Sequence, residues 1–548
     1  MTRLRNKLQA ILAVVVCCIT FFVNNPVITP DIMESRNIIA AREMVYEGHW
    51  LVPTMNGALR LEKPPLPTWL TAVAEIISPD SLALQRGMAG LAALLLVFYF
   101  WRFARDVLHT KPLVPILLLC TCYNVVLMGR TASWDIYCHA FMMGGIYHLA
   151  RALASSPCAW RHFLMAGLWT GLSILSKGPV SVYALFLPFL MSYGFYIRPS
   201  WKGKWGGVAV MTVVALIVGL WWYAYIYGVE GTAFSAVAQK ESGSWMDHNV
   251  RPWWYYWKFF LETGVWSLLL LTAMFLPMTS KARRKSADWL FPMGWMLASL
   301  LLLSLMPEKK SRYLLPLLIP ASYLMGYLIA EWRRVFHAES ESSRADRVCF
   351  RVNTGLVALV VAVLPVLAWW FIVRPGYATW MAWTVFTLFV EGLAAFLVQA
   401  TVRLRPMRLV GGVALLFAVA ECFLLPVLGK IINNPDMKSI AETRDIRQLD
   451  GLQFYHLPSE PLRIELVYAA HRSIVPMSLD SVQGKVPCVL LTRRPLDEEM
   501  PKAELEQMKT RFIGRYDDNR RPKSNRRYSG DFIYYVTLLE GKKMSSSL

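Results

Sequence analysis

Lys63 stands in the run Glu62-Lys63-Pro64-Pro65-Leu66-Pro67, directly before an apolar stretch at 66–77. Three prolines in four positions stiffen the chain in an extended form. The ammonium is thereby fixed where a polar loop meets an apolar segment, a place that suits a phosphate carried on a lipid. Pro307-Glu308-Lys309-Lys310-Ser311-Arg312-Tyr313 has the same character, with Lys310 and the Tyr313 hydroxyl as a second candidate phosphate clamp. Acids accompany these cations. Asp31 and Glu34 lie in the charged loop 24–83 with Arg36, Arg42, Glu43 and Arg60. Asp135 follows Arg130 at the start of an apolar stretch, as a helix cap on one reading and a functional carboxylate on the other. His248 and Arg251 precede the aromatic run 253–257 and could contact a sugar or a phosphate; the aromatics could equally be an interfacial belt. Ser176-Lys177-Gly178-Pro179 forms a tight turn but lacks the glycine spacing of a P-loop.

A membrane scaffold must position these groups. Of 548 residues, 55% are hydrophobic and 17% charged, against about 25% charged in ordinary soluble domains. That balance excludes a disordered chain, a collagen-like fibre and an average soluble enzyme. Apolar windows near 8–23, 84–101, 112–129, 134–150, 161–176, 179–197, 206–227, 259–279, 288–306, 313–331, 353–373, 377–400 and 408–429 predict thirteen transmembrane helices. The net charge of +20 falls mostly in alternate short turns, from Arg102/Arg105/Lys111 to Arg403/Arg405/Arg408. This is the positive-inside pattern with a cytoplasmic N-terminus, so nucleic acid is not expected as a partner. Asn24-Asn25-Pro26 follows the first span in place of a small-residue cleavage site, which predicts a retained anchor.

The fold class expected is therefore mostly α: a polytopic transmembrane helical bundle over 1–429, with a small C-terminal α/β domain outside the membrane over 430–548. In the tail, β-like runs at 452–457, 486–492 and 532–538 flank a helical candidate at 499–510. In the first loop, Ile38, Ala41 and Val45 recur at helical spacing, predicting an amphipathic helix over 33–47 on the membrane surface. Arg42, Glu43 and Glu47 then read as its solvated polar face, and Asp31, Glu34 and Lys63 as functional groups. The basic cluster Arg520, Arg521, Lys523, Arg526 and Arg527 is either a solvated turn or a contact for lipid phosphates. Nine cysteines give no disulfide framework, Cys120 and Cys122 reading as lipid-facing or core sulfur. No cluster has the spacing of a metal cage, so no metal or cofactor is expected. Under this topology the site candidates share one external face, as group transfer from a membrane-anchored carrier requires.

Several stretches resemble the GT-C membrane glycosyltransferases that use polyprenyl-phosphate sugars, in particular lipid A aminoarabinose transferases and their protein O-mannosyltransferase relatives. They are Pro30-Asp31 through Ala41-Arg42-Glu43-Met44, Gly48-His49-Trp50-Leu51-Val52-Pro53, Asn56-Gly57 and Leu61-Glu62-Lys63-Pro64-Pro65 with Trp69. Thr131-Ala132-Ser133-Trp134-Asp135, Ser176-Lys177-Gly178-Pro179, Arg251-Pro252-Trp253-Trp254-Tyr255-Tyr256 and 304–316 extend it, and the likeness weakens beyond about residue 320. Counted back without a gap, Met33 takes the family's aspartate position and Glu34 its glutamate. The resemblance implies an inverting glycosyltransferase of the cytoplasmic membrane whose site faces the periplasm. Its partners would be membrane lipids, a polyprenyl-phosphate sugar donor and a lipid A, protein or glycan acceptor. Lys63, Arg36, Lys310 and Tyr313 would bind the leaving phosphate, and Asp31 or Glu34 would orient or deprotonate the acceptor. Asp135 would assist, and His248 and Arg251 would position either substrate.

A transporter or flippase of lipid-linked saccharides is the main rival. Transporters commonly carry internal repeats and charges within spans, whereas here no repeat is visible and the charges sit in loops. A non-catalytic scaffold would leave the acids and bases of the first loop without a purpose.

Overall fold

The computed structural model describes residues 2–155, 159–247, 249–337, 343–432, 434, 436–501, 505 and 508–542. The chain forms two compact units, one of Met1–Val27 with Leu61–Val427 and one of Ile28–Arg60 with Leu428–Leu548. The first loop is thus divided: 28–60 folds with the C-terminal residues, and 61–83 with the helices.

The first unit is helical. Among the described residues, eight helices are long and apolar enough to cross a membrane, from Leu82–Asp106 to Pro406–Ile432. Helical segments also occupy the remaining expected windows, including Trp134–Ala154, Trp160–Lys177 and Val182–Ile197. This is a multi-pass membrane protein. Ser311–His337 is its central helix: 83% of its apolar window is buried, against 22% for Trp380–Val402. Leu388 and Met381 on the latter are exposed, as expected where lipid rather than water is the solvent. The core sulfur reading holds for Cys120 and Cys122, both fully buried.

Trp134–Ala154 and Trp160–Lys177 pack as an antiparallel hairpin, and small residues allow the close approach. A Cβ at Gly145 would stand 2.6 Å from Thr170 Oγ1, and one at Gly171 would stand 2.6 Å from Val218 Cβ on Trp205–Val229. Asp135 at one helix start and Lys177 at the other's end therefore reach the same end of the hairpin.

The second unit is built on a five-stranded sheet. We label the strands β1 (Thr54–Met55), β2 (Ala58–Leu59), β3 (Phe454–His456), β4 (Ile474–Pro476), β5 (Cys488–Thr492), β6 (Met508–Asp517) and β7 (Ile533–Lys542). The sheet order is β4-β3-β5-β7-β6, with β3 parallel to β4 and β5, and β7 antiparallel to β5 and β6. Of the helix candidate at 499–510, residues 502–504, 506 and 507 lie outside the described residues; the expectation is corrected at its end, where 508–510 opens β6, and a short helix closes at Glu499 (Leu496–Glu499).

Helix Ile32–Tyr46 belongs to this unit, where Ile39 joins Phe454, Val467, Val489 and Val536 in one buried core. This corrects the expectation of a solvated polar face on a surface helix. Arg42 and Glu43 are buried, because that face meets protein: Arg42 donates to Tyr468 O at 3.0 Å and lies 4.9 Å from its ring centroid. Glu43 accepts from Thr54 Oγ1 and from the Asn56 and Gly57 amides. Asn56 and Gly57, with φ of 57° and 74°, form the tight β1–β2 turn that this carboxylate ties down. Glu47 is exposed, as expected.

Candidate functional site

The centre of the first unit's polar cluster follows from helix electrostatics. A helix N-terminus favours an anion and a C-terminus a cation. Asp135 lies in the first turn of Trp134–Ala154, and Lys177 is the last residue of Trp160–Lys177. They form an ion pair, with side chains 3% and 7% exposed. Ser133, not Asp135, is the N-cap residue, and it makes no side-chain capping bond. The cap reading of Asp135 is thus replaced by a buried carboxylate held by an ammonium. One turn along, His139 is buried, and its Nδ1 has no hydrogen-bond partner among the described residues.

Residues 307–313 cover this pair. Their backbone is fixed by a short antiparallel pairing with 249–251: Val250 bridges Glu308, Arg251 N donates to Pro307 O at 3.3 Å, and Lys309 N donates to Asn249 O at 3.2 Å. Buried Tyr256 adds a second fastening, its hydroxyl accepting from Lys310 N at 3.0 Å and donating to Lys310 O at 3.2 Å. Thus held, the Tyr313 ring meets three cations: Lys177 Nζ lies 4.9 Å from its centroid, Lys310 Nζ 5.8 Å and Arg312 Cζ 5.8 Å. The Tyr313 hydroxyl donates to Glu308 at 3.4 Å, and Glu308 also pairs with Lys310. The Arg312 charge acts on Asp135 as well.

Lys63 completes the cluster. It precedes helix Leu66–Ile77, whose entry is set by Pro65 and Pro67. Its ammonium pairs at 3.0 Å with Glu241 of helix Gly231–Asp247. Burial pushes the Lys63 ammonium below the ordinary lysine value; Glu241 opposes that shift, and Lys177 adds to it. Lys63 and Lys177 therefore lie within electrostatic reach of each other. The cluster holds Lys63, Lys177, Lys310 and Arg312 against Asp135, Glu241 and Glu308, a cation-rich group beside a tyrosine ring. Chemically, such a group can accept a phosphate and stabilise charge developing on it.

The other expected residues lie elsewhere. Asp31, Glu34 and Arg36 belong to the second unit. Asp31 caps helix Ile32–Tyr46, its Oδ1 accepting from Met33 N at 2.8 Å and Glu34 N at 2.9 Å, while Glu34 Oε2 accepts from Asp31 N at 3.4 Å. This is a capping box. Arg520 donates to Pro30 O, and its charge interacts with Glu465, Asp31 and Glu34. Arg36 is exposed on the same helix. Arg251 is exposed and joins the first unit's site through its backbone, and His248 lies outside the described residues.

Sequence reasoning placed Arg312 in the 307–313 clamp stretch and missed Lys177, Glu241 and Glu308 as site residues. Lys177 had a signal, a cation ending one apolar stretch while an acid opens the stretch before it. Glu241 had none, because nothing local ties it to Lys63. Among the described residues, one set of side chains could hold a metal ion: Glu43, Glu47 and His49, with ligand atoms within 4.8 Å of one another. It lies in the second unit, and Glu43 already serves the β1–β2 turn.

Residues 62–223 match the family described as dolichyl-phosphate-mannose-protein mannosyltransferase, a stretch that contains Lys63, Asp135 and Lys177. The chain is 26% identical over 325 residues to undecaprenyl phosphate-alpha-4-amino-4-deoxy-L-arabinose arabinosyl transferase 1 of Pseudomonas fluorescens, covering 55% of each. It is 26% identical over 366 residues to the corresponding transferase of Edwardsiella ictaluri, covering 62% of this chain and 61% of that one. The chain thus spans little more than half the length of the curated relatives it matches. The crystal structure of ArnT from Cupriavidus metallidurans bound to undecaprenyl phosphate superposes with a TM-score of 0.68 at 17% identity over 97% of both chains. The chain has that fold, and its sequence resemblance to the GT-C glycosyltransferases is matched by these relatives.

Proposed function

We propose that this chain is an integral-membrane glycosyltransferase that moves a sugar from a polyprenyl-phosphate donor to a lipid A-like, protein or glycan acceptor. The observation that carries this reading is the buried Asp135–Lys177 pair under Tyr313, with Lys63, Lys310 and Arg312 around it. Relatives named for an undecaprenyl phosphate-linked amino sugar, and a solved protein of this fold bound to undecaprenyl phosphate, support the donor class. The chain crosses the cytoplasmic membrane thirteen times, and its site opens on the periplasmic side. Residues 430–548 form a small α/β domain outside the bilayer.

In the reaction the acceptor hydroxyl oxygen bonds to the anomeric carbon as the bond from that carbon to the phosphate oxygen breaks. The bonding pair leaves on the polyprenyl phosphate, and direct displacement inverts the anomeric centre. Lys63, Lys310, Lys177 and the Tyr313 hydroxyl bind the departing phosphate. Because these donors are held before the charge appears, little reorganisation is needed when it does. Asp135 orients Lys177, and the acceptor proton passes to a carboxylate, for which the sequence resemblance offers Asp31 or Glu34. Asp31 Oδ1 serves the helix cap, and Oδ2 makes no hydrogen bond among the described residues. His248 and Arg251 position the substrates.

Purified protein in liposomes, given a labelled polyprenyl-phosphate sugar and lipid A, tests the proposal. Label covalently joined to an acceptor supports the enzyme. Label that crosses the bilayer still on its carrier identifies a transporter, and neither outcome would leave a scaffold.

A further inference from the structure

The central helix carries a second feature at its far end. From the Tyr313 cluster the helix continues as Leu315–His337, 23 residues and roughly 34 Å long. Around its C-terminal turns lies a cavity of 690 Å³. Leu108, Val114, Pro115, Ile329, Ala330 and Met407 give it apolar walls. Lys111, Arg333, Arg334 and His337 line it too, with Asp288 and Glu331 as its acids. Glu331 is already engaged, by Arg334 at 3.1 Å and by Arg283 at 3.5 Å, while Arg283 also holds Asp346 at 2.7 Å. Lys111 and Arg333 are exposed and make no ion pair or hydrogen bond among the described residues, leaving two cations against Asp288.

We propose that this cavity binds one anionic phospholipid, its headgroup phosphate on Lys111 and Arg333 and an acyl chain along the apolar wall. Three points favour this occupant. A single negative headgroup balances the excess cation. Apolar walls at the end of a membrane bundle are met by hydrocarbon, which a free anion does not supply. Basic pockets between helix ends on the positively charged side of a membrane are also where anionic headgroups collect. The turn 107–112 and the helix ends at 287–290, 330–337 and 406–408 meet here, in or beside turns that carry the chain's excess of arginine and lysine. The site is separate from the Tyr313 cluster and does not depend on the proposed reaction.

The test is native mass spectrometry of the full chain released from phosphatidylcholine vesicles with and without phosphatidylglycerol, together with thermal stability in the same vesicles. Wild-type protein should retain one phosphatidylglycerol and be stabilised by it. Lys111→Gln/Arg333→Gln should weaken retention about tenfold or more, with two headgroup contacts removed. Arg161→Gln/Lys202→Gln, the same charge loss away from the cavity, should retain the lipid. Met407→Trp, which fills the apolar wall with both cations in place, should lose it, so the proposal stays testable if the charge variant does not fold. Equal retention by the cavity variants, equal loss by the control pair, or the same stabilisation from inorganic phosphate in pure phosphatidylcholine would overturn it.

Discussion

Lys177 Nζ stands 4.9 Å from the centroid of the Tyr313 ring while its ammonium is paired with Asp135. The lysine lies between a carboxylate 42 residues earlier in the chain and an aromatic face on the central helix. Its charge, being nearly buried, depends on both. Breaking a buried pair by removing one partner costs about 3–5 kcal/mol, whereas replacing both with apolar groups can be neutral. Lys177→Met and Asp135→Leu should each destabilise the protein, and the double variant should recover most of that stability. Turnover should stay about 10²–10³ below wild type in all three, since the phosphate loses a preorganised donor. Thermal denaturation and transfer rates on the same samples separate the two effects.

Lys63 should set the alkaline limit of activity. Burial lowers its ammonium below the ordinary 10.5, and Glu241 partly restores it. A lowered lysine loses its proton earlier as pH rises, so kcat/KM should fall on the alkaline side before an exposed lysine would titrate. Glu241→Gln removes the opposing charge and should move that limb to lower pH. A pH profile of both proteins on one donor checks the sign.

Tyr313 offers a ring and a hydroxyl, which substitution can separate. Tyr313→Phe keeps the surface beneath Lys177 and Lys310, and should raise the donor KM less than Tyr313→Ala does. Cation–π contacts of this kind are worth about 0.5–2 kcal/mol, so Tyr313→Ala should add roughly 2- to 30-fold beyond the phenylalanine variant. Equal effects would mean that the hydroxyl alone matters.

The helical scaffold was legible because a span needs only length and apolarity, both local properties. Lys63, Asp135, Lys310 and Tyr313 were legible for a related reason, as charged or polar groups at the edges of apolar runs. Glu241 and Lys177 were not assigned to the site, because their partners are set by helix packing across distant segments. The helix Ile32–Tyr46 was found in the right place but given the wrong surroundings. Its polar residues gave no sign that Tyr468 and the 54–59 turn would cover them, and Arg42 and Glu43 are buried as a result. Strand β4 was missed because three residues carry too little periodicity.

Asp31 combines a cap with a proposed chemical role. Asparagine caps helices about as well as aspartate, while alanine costs about 1 kcal/mol. Asp31→Asn should therefore keep the wild-type melting temperature and Asp31→Ala should lower it. If Asp31 takes the acceptor proton, both variants lose turnover. If Glu34 takes it, Asp31→Asn stays active.

In the second unit, burial pushes the Asp518 carboxyl up to about 6 from an ordinary 3.8. A proton bound more tightly in the folded chain stabilises it below the ordinary value, and that contribution is lost as pH rises through about 6. Neighbouring Asp517 is shifted down, chiefly by its bond from Tyr528 against the effect of burial, and has the opposite dependence. Asp518→Asn should abolish the loss of stability between about pH 4 and pH 6. Hydrogen exchange of β6 and β7 across that range reads the change locally.

The central claim is that Lys63 and Lys177 hold the donor's phosphate, and binding of sugar-free polyprenyl phosphate tests it most directly. Equilibrium binding to wild type, Lys63→Ala and Lys177→Met in neutral liposomes should show each variant weakened about tenfold or more, because each loses a charged contact. Affinity equal to wild type in both variants, with the proteins folded, would contradict the account.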